Sequence, residues 1–203
     1  MIGRRKGMAK VSATFVLCLA IIISMPRAYT INADQEAWFQ NLINRNEKVI
    51  KLHFYLEDSL GGQNETIWEV ARADISSTSP TSFGKVFVFD DPLTAKPDPK
   101  SMKLGRAQGI FASADLRHPA IALYFNFYFT AGKYKGSSLS IMGRNEILGK
   151  NRELPVVGGT GAFRMARGFS ISNTYAYDPV AKYGTIVEYT VYVTTYVKHA
   201  WDE

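Results

Sequence analysis

The chain predicts an all-β fold, an antiparallel barrel or sandwich of around eight strands, and three observations lead there. Apolar and polar residues alternate with a period of two along much of the sequence from Val49 onward. Turns rich in Gly, Pro and Ser separate the alternating segments, and neither a long helical period nor a βαβ rhythm interrupts them. Aromatic residues make up 13% of the 203, with 11 Tyr and 12 Phe, a composition that suits pleated, half-buried surfaces and not a disordered chain.

Residues 1–30 stand apart. Arg4, Arg5, Lys6 and Lys10 precede an apolar run from Val11 to Ile23, and small or turn-forming residues follow through Ala28. That is the layout of a cleaved secretory signal, with Met8 as an alternative start. The run is shorter than the ~20 residues a spanning helix needs, so no membrane anchor is expected after cleavage. Pro26-Arg27-Ala28 is a poor small-x-small site, which leaves the boundary anywhere from about Ser24 to Ala33. The segment also explains the formal charge of +6. With Arg27 it holds five of the 24 basic residues and none of the 18 acidic ones, so residues 31–203 carry about +1. A nucleic-acid binder would keep a basic stripe in its folded part. The single cysteine, Cys18, falls in the same segment, so the mature chain is expected to have no disulfide and no thiol chemistry. Asn64-Glu65-Thr66 is the one N-glycosylation triplet.

Residues 31–48 read as a leader. Within 34–47 (DQEAWFQNLINRNE), Trp38, Leu42 and Ile43 fall on one side of a short helix, and a loose segment is the alternative. Residues 49–203 read as the β domain. Val49–Leu56 and Thr66–Ala71 are the first strands, followed by the loop ISSTSPTS at 75–82. In Phe83–Phe89, the residues Phe83, Lys85, Phe87 and Phe89 share one face and Val86 and Val88 the other; Asp90-Asp91-Pro92 reads as its end. Lys103–Ala114, Ala120–Thr130 and Ser137–Met142 come next. Ile121, Leu123, Phe125, Phe127 and Phe129 line one side of the second of these, and Tyr124, Asn126 and Tyr128 the other. Phe163–Tyr175 and Thr185–Val197 close the series, the last with Val187, Tyr189, Val191 and Val193 in strict alternation.

The cluster Gly158-Gly159-Thr160-Gly161 follows Val156-Val157 and invites a dinucleotide-binding reading. Such a turn must lie between a strand and a helix, whereas AFRMARGFSIS reads as strand and Arg164 stands where the third glycine belongs. The Lys-Ser/Thr of a phosphate loop is also missing. A tight connection between strands, with backbone needing positive φ, is the better account, and no cofactor is expected.

The three histidines, His53, His118 and His199, are scattered without ligand spacing, so no metal site is expected. There is no Gly-x-Ser-x-Gly elbow. What remains are charges at strand ends: Glu57-Asp58, Asp90-Asp91, and Arg144, Arg152, Arg164 and Arg167. Most such charges solvate loops. Asp58 stands out because it follows an aromatic-rich strand and precedes Gly61-Gly62, which would place it at a barrel mouth. Against apolar walls its carboxyl would hold its proton and serve as a donor.

Six stretches then carry a resemblance: LHFYLEDSLGGQNET (52–66), FGKVFVFDDPLT (83–94), GRAQGIFASAD (105–115), KYKGSSLSIMGRN (133–145), RELPVVGGTGAFRMARG (152–168) and VEYTVYV (187–193). The chain from Ile50 to Tyr196 resembles plant dirigent proteins. The resemblance implies an eight-stranded antiparallel β-barrel related to allene oxide cyclases, secreted to the apoplast or cell wall, glycosylated, and self-associating through barrel walls, commonly as a trimer, with a dimer as the alternative. It implies that a separate laccase or peroxidase makes phenoxy radicals from monolignols such as coniferyl alcohol. The barrel then orients the partners so that one stereoisomer forms, with no oxidative activity of its own. Some relatives instead dehydrate isoflavanols to pterocarpans, and a cell-wall module that binds phenolics without chemistry is a third reading.

The resemblance assigns Asp58 as the acid and Arg152 as the pocket arginine, with Asn145 and Phe111 as substrate-binding positions and Asn64 as the glycosylated one. Glu57 replaces a His of the usual motif. Asn145 stands where lignan-forming members have a second Asp, so the resemblance supplies one acid here instead of two. Phe111 replaces a common Tyr, and Lys135 removes a second glycosylation triplet.

Overall fold

A computed structural model describes residues 33–42, 46–62, 64–178 and 184–196; the signal reading of residues 1–30 lies outside them. A short helix, α1 (Ala33–Gln40), is present with no buried residue and a Gln40–Glu36 side-chain hydrogen bond of 2.7 Å. It belongs to one compact unit and the strands to another.

The second unit is a single antiparallel sheet of nine strands: β1 (Glu47–Ser59), β2 (Ile67–Ala71), β3 (Val86–Thr94), β4 (Lys103–Ser113), β5 (Ala120–Phe129), β6 (Ser138–Glu146), β7 (Arg152–Thr160), β8 (Arg167–Asp178) and β9 (Gly184–Tyr196). Its order is β1-β9-β8-β7-β6-β5-β4-β3-β2, and a further pairing of β1 with β3 closes it through Tyr55–Thr94 and Leu56–Leu93. Eight strands therefore form a closed barrel. β2 stands outside the ring, paired only with the first half of β3.

Most strand boundaries shift from the sequence reading, and three differences bear on the site. β3 does not end at Phe89 but runs through Asp90-Asp91-Pro92 to Thr94. Proline is tolerated there because β2 reaches only Phe89 and β1 begins only at Leu93, so its missing N–H falls in a gap on that edge. β7 is not among the strands enumerated from the sequence, although the glycine connection implies one ending at Val157. Pro155 pairs with Phe169 of β8, while the ladder toward β6 stops at Val156. The glycines lie at the end of this strand, and β8 begins at Arg167, after a 3₁₀ turn at Gly161–Phe163.

Their roles are steric and conformational. A Cβ on Gly159 would sit 2.6 Å from the Ser138 carbonyl oxygen and 2.7 Å from Phe163 Cβ. Gly161 has φ +60°, and the turn it opens is tied by Ala162 N–H donating to Ser137 Oγ at 3.0 Å. The cluster connects two strands across a tight crossing.

Alternation sends one face of every ring strand inward. Phe54, Phe127, Leu139, Phe163 and Val193, each at most 1% exposed, seal one end of the barrel. Their rings meet mostly edge-on or tilted, with Phe54 to Phe127 at 4.8 Å and Phe129 to Phe163 at 5.6 Å between centroids. At the other end Phe87, Phe89, Phe111, Ile121 and Asp58 share the inward face yet stay only partly buried. The barrel is filled at one end and open at the other.

Candidate active site in the open end of the barrel

Polar side chains gather on the inward face of the open end. Asp58 continues the inward series Phe54, Leu56 on β1, and Asp91 continues Phe87, Phe89 on β3. The Leu56–Leu93 pairing, carried on by two residues, sets Asp58 across from Asp91. The two carboxyls interact directly.

Both are held far above the ordinary carboxylate value of 3.8. Burial is the largest cause for each, since it penalises the charged form. Asp58 is pushed up to about 7, with the hydrogen bond from Asp91 and then the Arg152 guanidinium working against burial. Asp91 is pushed higher still, by burial and then by the Asp58 charge, with the Thr66 hydroxyl opposing. The protons belong to the pair and not to either residue. Asp58 retains some accessible surface on the inward-facing series of β1. The pair therefore keeps at least one proton at neutral pH, and one carboxyl can donate while the other accepts.

Thr66 fixes the back of the pair. Its N–H donates to Ser59 O at 2.9 Å, its hydroxyl accepts from Ser59 N–H at 3.0 Å, and its carbonyl accepts from Asp90 N–H at 3.0 Å. Having accepted from Ser59, that hydroxyl has its one hydrogen left for Asp91. Asp90, next in sequence, points outward and pairs with Arg106.

Arg152 on β7 is 9% exposed and locked by three bonds from Nη1: to Ile147 O at 3.2 Å, Gly149 O at 3.1 Å and Thr174 Oγ1 at 3.0 Å. Its charge reaches both Asp58 and Tyr189. Tyr189 on β9 is fully inside, and its phenol is raised by burial first and by the Asp58 charge second; the Ser172 hydroxyl is its hydrogen-bond partner. Asn145 on β6 is 8% exposed. Phe111 on β4 stacks on Phe87 at 4.7 Å and 14°, and Phe89, tilted 47° to Phe111 at 6.0 Å, adds a third ring to this aromatic wall.

Among the described residues, four buried side-chain atoms lack a hydrogen-bond partner, and three are here: Asp91 Oδ1, Asn145 Oδ1 and Arg152 Nε. The fourth, Glu57 Oε1, is on the outward side of β1, where Lys103 Nζ lies 3.8 Å from the other oxygen. Buried polar atoms are ordinarily paired, so three orphans on one inward face mark a place for a polar ligand. The open hollows elsewhere do not compete. One, against Ile110, Ala112, Tyr124 and Met142, has no titratable lining group except the Tyr124 phenol; in the other, Asp115 and Arg144 satisfy each other at 2.9 Å.

All four residues expected in the pocket, Asp58, Arg152, Asn145 and Phe111, thus point into the barrel's open end. Asn64 is exposed in the turn before β2. The expectation of a single acid needs correction, because Asp91 supplies a second carboxyl. Its Asp-Asp-Pro setting looked like a strand end. The signal that identifies it is the inward alternation Phe87, Phe89, Asp91, Leu93. Tyr189 was visible as a strand residue and not as part of the site.

A closed antiparallel barrel with a proton-holding carboxyl pair among inward aromatic rings defines the class of protein to which this chain belongs by fold. The dirigent-like protein family model matches residues 49–194. Dirigent protein 1 of Arabidopsis thaliana is 39% identical over 178 residues, covering 88% of this chain and 91% of that one. Pterocarpan synthase 1 of Glycyrrhiza echinata is 36% identical over 190 residues, covering 93% and 100%. The solved structure of the pterocarpan synthase dirigent protein GePTS1 superposes with a TM-score of 0.69 at 38% identity, covering 76% of this chain and 88% of that one. The chain belongs to the dirigent family.

Proposed function

We propose that this barrel holds phenoxy radicals of the monolignol type, such as those of coniferyl alcohol, and steers their coupling toward one stereoisomer. A separate laccase or peroxidase removes one electron and one proton from each phenol. Two radicals then form one C–C bond without further oxidant, and the product is a quinone methide. The Asp58–Asp91 pair acts next. It gives a proton to the quinone oxygen while a side-chain hydroxyl adds to the electrophilic carbon and returns a proton to the carboxylate, so the step is neutral in protons and electrons. Stacking on Phe111 and Phe87 orients the ring, and the apolar mouth keeps out the water that would add instead. A tenfold preference between enantiomers needs only about 1.4 kcal/mol. The observation that carries the reading is the buried carboxyl pair, with Asp58 under the influence of the Arg152 charge.

The setting we propose is secretion to the apoplast or cell wall, a glycan on Asn64, and self-association through the barrel wall, with a trimer favoured. The apolar outer face of β3 to β6, with Val88, Ile110, Tyr124 and Met142 exposed, supports association.

A second reading is dehydration and cyclisation of an isoflavanol. It is favoured by the pterocarpan synthase relatives and by an acid–base pair that works without oxidant. There the leaving hydroxyl takes a proton from the pair, a phenol loses one to it, and water departs as the ring closes.

One assay separates the two. Purified protein is incubated with coniferyl alcohol and a laccase, the enantiomeric ratio of the coupled products is measured, and Asp58→Ala is run beside it. An enantiomeric excess that depends on the protein and falls in the variant is expected. Racemic product from the wild type, together with turnover of an isoflavanol in the absence of oxidant, would transfer the assignment to the second reading.

A further inference from the structure

Asn145 and Arg152 flank the β6–β7 hairpin. The β6–β7 ladder stops at Ile141–Val156; counting on from it along both strands sets Gly143 level with Leu154 and Asn145 level with Arg152. Packing agrees, since a Cβ on Gly143 would lie 3.0 Å from Leu154 Cδ2. The hairpin is rigid. Gly149 N–H donates to Glu146 O at 2.8 Å, Asn151 backbone N–H donates to Asn173 Oδ1 at 2.7 Å, and Asn173 Nδ2 donates to Asn151 Oδ1 at 3.1 Å. Arg152 Nη1 is consumed by its three bonds, so the orphaned Nε cannot swing elsewhere. Across from it stands the orphaned Oδ1 of Asn145. One atom can only donate and the other can only accept.

We infer that Asn145 and Arg152 together hold one un-ionised hydroxyl of the ligand, which accepts from Arg152 Nε and donates to Asn145 Oδ1. A hydroxyl is the smallest group that satisfies both atoms. An ether, a quinone carbonyl or a phenoxyl oxygen can satisfy only Nε and leaves the amide oxygen buried and unpaired. An aspartate at position 145 would instead pair with Arg152 and close the holder. The substrate class is therefore an aromatic alcohol that enters with a protonated hydroxyl. The Arg152 charge also reaches Asp58, so that hydroxyl lies within the electrostatic reach of the carboxyl pair. This is where the oxygen that closes the ring should wait, with its proton passing to the pair as the C–O bond forms.

The inference rests on the proposed phenolic ligand, and its test needs no oxidase. Binding is measured by calorimetry for coniferyl alcohol, its side-chain methyl ether and its phenol methyl ether, with wild type, Asn145→Asp and Asn145→Leu. One ether is expected to bind the wild type at least about tenfold more weakly than the parent, and that penalty should vanish in both variants. Asn145→Asp is nearly isosteric and guards against misfolding, with thermal melts alongside. If the parent binds and both ethers bind equally well, the hydroxyl holder is wrong while the phenolic reading stands. If the parent fails to bind at all, the two fall together.

Discussion

At the scale of single residues, the behaviour of the site turns on a proton shared by Asp58 and Asp91. Both carboxyls are raised above 3.8, so the folded protein binds their protons more tightly than the unfolded chain does. The stability this gives is fully present below about pH 3.8. It is lost as pH rises through about 7, where the pair gives up its first proton, and beyond, where it gives up the second. Asp91→Asn keeps the shape and removes one titrating group. Its melting temperature relative to wild type should climb between pH 4 and pH 9, by at least about 5 °C. A difference that stays flat with pH would show that the pair is not buried as described. The same pair shows what was legible in the sequence. Asp58 stood out because an aromatic strand leads into it and two glycines follow. Asp91 did not, because an acid pair followed by proline is the ordinary signature of a strand's end. Only the closure of β3 against β1, a contact far apart in sequence, makes that segment part of the wall.

At the scale of elements, the glycines at the end of β7 are not equivalent. Gly159 lies against the Ser138 carbonyl and the Phe163 backbone, which cannot yield, while nothing lies within 4 Å of a Cβ on Gly158. Gly159→Ala should destabilise the barrel by about 1–3 kcal/mol in denaturant melts, and Gly158→Ala by no more than about 0.5 kcal/mol. Equal effects would contradict the crossing described for this turn. The strands with clean alternation, β5 and β9 above all, were readable because each has one face wholly inside. β7 escaped because Pro155 and the glycines are poor strand formers. It is held by its neighbours β6 and β8 and by the hairpin around Arg152 instead of by its own propensity.

At the scale of the whole molecule, a barrel tightly filled at one end and less fully packed at the other would give the proposed ligand a single direction of entry and a fixed set of walls. The aromatic plug at the sealed end supplies the rigidity, and the open end is left free to carry buried polar groups that cost stability. The class of fold followed from the sequence pattern. Closure into a ring of eight, with β2 left outside, did not, because it depends on which edges meet. The central claim is that this open end keeps a proton on a carboxyl pair at neutral pH. Carbon-13 NMR of the aspartate side-chain carboxyls, with Asp58→Asn and Asp91→Asn for assignment, reads it directly. Two coupled resonances should titrate together well above 3.8, the first near 7. Both carboxyls titrating near 3.8, independently of each other, would contradict the account.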